Sequence, residues 1–190
     1  MTKFKIKTYQ IVIIFMLAVL AFEAVNFYRG INYVIHKYRW QTTFAKFNSG
    51  YFKAMIEQNN LEPNLSQQQV LKILTSHLKV KKTCYNSVQE GCWPEKSFFV
   101  NGSIVYSYDS YAGFILDNGI LVSGIQNSTA NCANLNICNI ISIDLNGLNG
   151  PNTFGHDQFR FYYYKDKMVP YFYGDDSLVG NKIKRYMNIK

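Results

Sequence analysis

The chain begins with Lys3, Lys5 and Lys7 and then runs apolar without interruption from Ile11 to Phe22. Glu23 and Asn26 break a weaker continuation through Phe27 and Tyr28. As a helix, a bilayer crossing takes roughly 17–25 residues, and Ile11 to Tyr28 meets that length. Further on, apolar and aromatic residues recur at steps of three and four. They are Ile31, Val34, Ile35 and Tyr38, then Trp40, Phe44, Phe47, Tyr51 and Met55. Such steps place each group on one face of a helix. The pattern predicts a basic segment over 1–9, a transmembrane helix over 10–28 and its amphipathic continuation over 29–59. The aromatic stripe of that continuation is expected to pack against a domain.

Asn59-Asn60 and Pro63 end the long helix. Ser66, with Gln69 three positions on, has the spacing of a capping box, in which the two residues satisfy each other's backbone N–H groups. Val70, Leu71, Leu74 and Leu78 follow as the buried face of a short second helix. Lys79, Lys81 and Lys82 suit its C-terminal end, where cations interact favourably with the helix dipole. After Cys84 the pattern turns to strands. Ser97 to Tyr108 surrounds an Asn101-Gly102 turn, a hairpin signal, and Phe114–Leu116 and Ile120–Val122 flank Asp117-Asn118-Gly119 in the same way. Ile140–Leu145 and Gln158–Tyr164 read as two more strands. Helices first and strands after predict an α+β fold, one long helix packed on a small antiparallel β-sheet. The head is expected over 60–175, followed by a basic C-terminal tail over 176–190 that has no clear pattern and is either a short helix or disordered.

Charge changes the picture less than its total suggests. The chain has 20 Lys and Arg against 12 Asp and Glu, a formal net charge of +8. Seven of the basic residues sit in the tails, namely Lys3, Lys5, Lys7, Lys182, Lys184, Arg185 and Lys190. The segment between them is nearly balanced, so no basic stripe is expected on the folded body and no nucleic acid is expected as a partner.

Cys84, Cys92, Cys132 and Cys138 form two close pairs. Their gaps are wider than zinc sites usually take, and none of His36, His77 or His156 lies near a pair. Disulfides in an oxidising compartment fit better. Three pairings are open, and the turn-like stretch inside each close pair favours two local bridges. The lysines before the apolar run and the scarcity of positive charge just after it orient the N-terminus inside and the body outside. A cleaved secretory signal is the competing expectation, with Val19-Leu20-Ala21 as a small-residue site before Phe22. Glu23 lies near the far end of the span, where its carboxylate can reach the interface.

Two blocks resemble a known family. One is Leu78-Lys79-Val80, Cys84 and Gly91-Cys92-Trp93-Pro94. The other runs from Ile143-Asp144-Leu145-Asn146-Gly147 through Gly150-Pro151-Asn152-Thr153-Phe154-Gly155-His156-Asp157 to Phe159 and Phe161. With the order of helix, cysteine block and hairpins, they make the chain similar to the type IV pilin-like proteins and type II secretion pseudopilins of bacteria. The resemblance covers nearly the whole chain except the N-terminal processing motif. There Thr8 stands where the family has Gly before its cleavage point, Tyr9 stands for the aromatic, and Ile13 occupies the position of the family's Glu.

The resemblance implies a structural subunit of a secretion or pilus system, in contact with the membrane and with other pilin-like subunits through the N-terminal helix. Its expected place is a single-pass inner or cytoplasmic membrane with an exported head, or the cell surface. The alternative is a secreted or tethered extracellular binding module, using the sheet face or the Tyr-rich segment Phe161 to Tyr173. The turn formers between Asp144 and Asp157 read as a compact structural loop with Phe154 folded inward. Asp144, Asn146 and Asp157 are also hard oxygen ligands, and related pseudopilins can carry calcium, so they are candidate calcium residues; no cofactor is otherwise expected. His77 and His156 lie in no local catalytic pattern. No G-x-S-x-G, phosphate-binding loop, H-E-x-x-H or dinucleotide fingerprint is present, so an enzyme is not expected.

Overall fold

The computed structural model describes residues 8–57, 64–105, 110–128, 137–164, 167–171 and 178–187. Two compact units divide the chain, Met1–Tyr38 and Arg39–Lys190. One helix, α1 (Thr8–Glu57), supplies the described part of the first unit and the opening element of the second.

In the first unit, α1 exposes large apolar side chains in every direction. Ile14, Phe15, Leu20 and Phe22 are all more than 60% exposed. A helix that is apolar all round is stable only where something other than water surrounds it. Among the described residues, α1 is the one helix long and apolar enough to cross a membrane.

The second unit is α+β. Its elements after α1 are α2 (Gln67–Thr75), β1 (Val80–Cys84), β2 (Ser97–Phe98), β3 (Ile104–Val105), β4 (Ala112–Leu116), β5 (Leu121–Ile125), β6 (Asn139–Asp144), β7 (Gln158–Tyr163), β8 (Met168–Pro170) and α3 (Leu178–Tyr186). Six strands form one antiparallel sheet in the order β1-β4-β5-β6-β7-β8, and β2 and β3 make a separate hairpin. Gly102 and Gly119 take positive φ in the two predicted Asn-Gly turns, a conformation glycine adopts without steric cost.

Of the face predicted on α1, the part from Trp40 to Tyr51 packs into the head, whereas Ile31, Val34, Ile35 and Tyr38 of the first unit are exposed and the side chain of Met55 lies outside the described residues. Trp40, Phe47 and Tyr51 are each 1% exposed. Trp40 and Phe44 meet Phe161, Phe47 stacks on Phe114, and Tyr51 meets Tyr163 edge-on at 4.6 Å. The Tyr51 hydroxyl also donates to the carbonyl of Tyr164, and Arg39 donates to the carbonyl of Leu145 at 2.9 Å. Fully burying one such side chain contributes about 1.5–3 kcal/mol, so this stripe is a principal source of the head's stability.

Strand alternation assigns the two sheet faces. Phe114, Leu116, Val122, Ile141, Ile143, Phe159 and Phe161 join the core with α1, α2 and α3. Neighbours of opposite parity, Ile115 and Leu121, pack instead with Trp93, Val105 and Phe154 in a second cluster. Both faces are therefore covered, by helices on one side and by the cysteine block, hairpin and β6–β7 loop on the other.

The capping box at α2 forms as predicted, with Ser66 accepting from the N–H of Gln69 and the Gln69 side chain accepting from Ser66. Three departures from the sequence reading have physical causes. Lys79, Lys81 and Lys82 do not close α2, which stops at Thr75; Lys81 and Lys82 lie on β1, and Lys79 just precedes it. β1 pairs with β4, and that long-range ladder outweighs the local signal of the lysines. As an edge strand, β1 presents Lys81 and Lys82 to solvent, a common protection against edge pairing. The second is the C-terminal segment, read as a basic tail beyond the head, either a short helix or disordered; the helix forms, and it belongs to the core. This helix is α3, whose Ile183 and Tyr186 are fully buried. The third is β8, which adds an edge strand to β7.

Candidate functional site

The β6–β7 connection concentrates the polar chemistry of the head. Asp144 ends β6, Asp157 precedes β7, and both are fully buried. A buried carboxylate is costly unless hydrogen-bonded, and both are. Asp157 accepts from the backbone N–H of Thr153 at 2.7 Å through Oδ1 and of Asn152 at 2.9 Å through Oδ2. It braces the turn that follows the cis Gly150-Pro151 peptide. Asp144 accepts from the N–H of Asn146 at 3.2 Å and from Nε2 of the buried Gln158 at 2.9 Å. Asn146 in turn donates its side-chain amide to the carbonyl of Gly150 at 3.0 Å. Phe154 folds inward as expected, with Arg160 over its ring at 4.3 Å.

Burial pushes the Asp144 carboxyl up to about 7; the Gln158 hydrogen bond opposes the rise and nearby Asp157 adds to it. Two further groups tie the loop to α3. Lys182 donates to the carbonyl of His156 at 3.1 Å and lies over the rings of Phe159 and Tyr186. Burial holds its ammonium below its ordinary range, with Asp157 opposing. Burial and Lys182 together lower His156.

The structure thus brings together all three calcium candidates, Asp144, Asn146 and Asp157, as parts of one hydrogen-bonded loop. Every carboxylate oxygen there already accepts an N–H. The amide oxygens of Asn146, Asn152 and Gln158 are buried with no hydrogen-bond partner among the described residues. Among the described residues, no group of three or more His, Cys, Asp or Glu side chains is placed to hold a metal ion. Sequence reasoning missed Gln158, which looks from its position like an ordinary strand residue. It also missed Lys182, whose place follows from the docking of α3.

Cys84 and Cys92 form a disulfide, one of the two local bridges favoured from spacing. Cys138 is buried and also disulfide-bonded, and Cys132 lies outside the described residues. Inside the first loop, Glu90 accepts from the N–H groups of Tyr85 and Asn86, and Ser87 meets Ser123 of β5 at 2.6 Å. The bridge therefore fixes a compact turn against the sheet face. Trp93, beside it, anchors the second cluster.

His77 and His156, the histidines considered for catalysis, lie apart in role. His77 pairs with Glu57 at 2.9 Å, and His156 sits in the β6–β7 loop. Compared with family models, curated proteins and solved structures, the chain matches none.

Proposed function

We propose that the protein is a pilin-like or pseudopilin-like structural subunit, held in a membrane by the first part of α1 and displaying a disulfide-stapled head outside. One observation carries this reading. A single helix joins an exposed, wholly apolar stretch to an aromatic stripe buried in an α+β head. The apolar stretch suits lipid or the helices of other subunits, and the stripe makes the same helix an integral part of the head. The cysteine chemistry supports export, because bridges such as Cys84–Cys92 persist in oxidising compartments. The role is structural, not catalytic, and membrane and fellow subunits are its partners. The calcium candidates of the β6–β7 loop serve here as braces of the head.

A binding module is the second reading. Tyr162, Tyr164 and Tyr171 cluster half-buried on the outward side of β7 and β8, with Tyr162 and Tyr171 4.5 Å apart. Mass spectrometry of the protein isolated from its own cells separates the two. A mature chain starting at Tyr9 is expected for a processed pilin-like subunit. A start at Phe22 overturns the anchored reading in favour of a secreted module. A start at Met1 keeps the anchor and removes the filament role.

A further inference from the structure

A cavity of 540 Å³ opens in the second unit between α1, the α2–β1 connection and the β4–β5 turn. Lys46, Ser49, Gly50 and Lys53 line it from α1, Lys79 from the connection, and Leu78 and Leu116 supply apolar wall. Lys46 and Lys53 are seven positions apart, two helical turns, so they share one face of α1. None of the three lysine ammoniums has a side-chain hydrogen bond or ion pair among the described residues.

Among the described residues, the nearby carboxylates are Glu57 and Asp117. Glu57 is engaged by His77, which also lines the cavity. Asp117 is the carboxylate that lines it, and the hydrogen bond that joins this residue to Lys79 runs between backbone groups, from the Asp117 N–H to the Lys79 carbonyl. Among the described residues, three lysines and one carboxylate thus line a partly enclosed space. Gly50 makes the space possible. A Cβ there would meet Leu78 Cδ2 at 3.1 Å and the His77 carbonyl oxygen at 3.6 Å, so glycine lets α1 and the connection approach closely at this wall.

We propose that this cavity is a binding site for a compact phosphorylated anion. Lysine presents a compact, freely rotating positive charge and suits tetrahedral phosphate oxygens, whereas planar carboxylates are best matched by the forked arginine guanidinium, and no arginine is among the described residues that line the cavity. Its volume falls within the roughly 300–1,000 Å³ of small-molecule sites. The Ser49 hydroxyl adds a neutral donor beside the lysines.

Isothermal titration of the full-length chain in neutral detergent, at low salt, with inorganic tripolyphosphate as the probe tests the proposal. Two variants carry the comparison. One combines Lys46→Ser, Lys53→Ser and Lys79→Ser; the other combines Lys72→Ser, Lys96→Ser and Lys184→Ser and loses the same charge from exposed positions elsewhere. All six lysines are exposed, so both variants should fold, which the fluorescence of the buried Trp40 and Trp93 checks. The cavity variant should bind at least roughly tenfold more weakly than the parent, and the control within about twofold. Equal losses in the two variants, or no binding by the parent, overturn the site. Equal affinity for hexaglutamate overturns the phosphate assignment. Short-chain phosphatidylglycerol displaces the probe if a lipid headgroup is the natural source, and leaves it bound if a free phosphorylated compound is.

Discussion

The side-chain amide of Gln41 on α1 donates to the backbone carbonyl of Tyr186 at the end of α3, joining residues 145 positions apart. Trp40 and Tyr186 stand 6.0 Å apart beside that bond, and Phe159 of β7 meets Tyr186 at 5.7 Å. The C-terminal helix is therefore a third wall of the core. Replacing Tyr186 by Ala should cost about 3–5 kcal/mol, the range for deleting a large buried aromatic. Urea unfolding followed by Trp fluorescence measures it. A loss below about 1 kcal/mol would show that α3 is dispensable, because surface changes fall in that range.

The capping box at α2 offers a smaller and cleaner test. Ser66→Ala removes the acceptor for the Gln69 N–H and leaves the buried face of Val70, Leu71 and Leu74 untouched. The expected cost is about 1 kcal/mol in urea unfolding. Ser66→Asp should recover most of it, since Asp caps as well as Ser. If both variants lose the same amount, the cap is not what stabilises this helix end.

What could be read from the sequence follows the range of the interactions involved. The stripe from Trp40 to Tyr51 on α1 and the capping box are local patterns, and both appear where periodicity and spacing place them. β1 is different. Val80-Lys81-Lys82-Thr83-Cys84 has no apolar alternation and becomes a strand through its pairing with β4. α3 was open as a short helix, and Val179, Ile183, Tyr186 and Met187 do recur at steps of three and four, but the segment is too short for periodicity to show that it docks on the core. In the β6–β7 loop the turn formers and the inward Phe154 were legible. The engagement of Asp144 by Gln158 was not, because it depends on the register between β6 and β7 that sets Asp144 opposite Gln158.

The Cys84–Cys92 bridge closes a short loop, with the cysteines eight positions apart. On the chain-entropy account such a loop contributes about 2–3 kcal/mol by restricting the unfolded chain. The paired change Cys84→Ser with Cys92→Ser should lower stability by that amount under non-reducing conditions. Adding reductant to the parent should bring it to the level of the variant, apart from any loss from the bridge of Cys138. A variant as stable as the oxidised parent would show that the bridge contributes nothing to the head.

Asp144 makes stability depend on pH in a direction opposite to that of an ordinary paired carboxylate. Its pKa is raised from 3.8 to about 7 by burial, so between those values the native state keeps a proton that the unfolded chain has released. The contribution is therefore complete below the unfolded value and is lost as pH rises through the folded one. The slope reaches about 1.4 kcal/mol per pH unit and the total is on the order of 4 kcal/mol at most. His156 works the other way. Its lowered pKa favours the native state above its usual titration range, and that gain is lost as pH falls. Comparing the parent with Asp144→Asn separates the two, since His156 is present in both. The Asn variant is neutral at every pH and keeps an oxygen to accept from Gln158. Its stability relative to the parent should rise from pH 4.5 and level off above about pH 7 in urea unfolding. A difference that stays flat across that range would mean that Asp144 is ionised in the folded protein throughout, held by its N–H donors against the cost of burial.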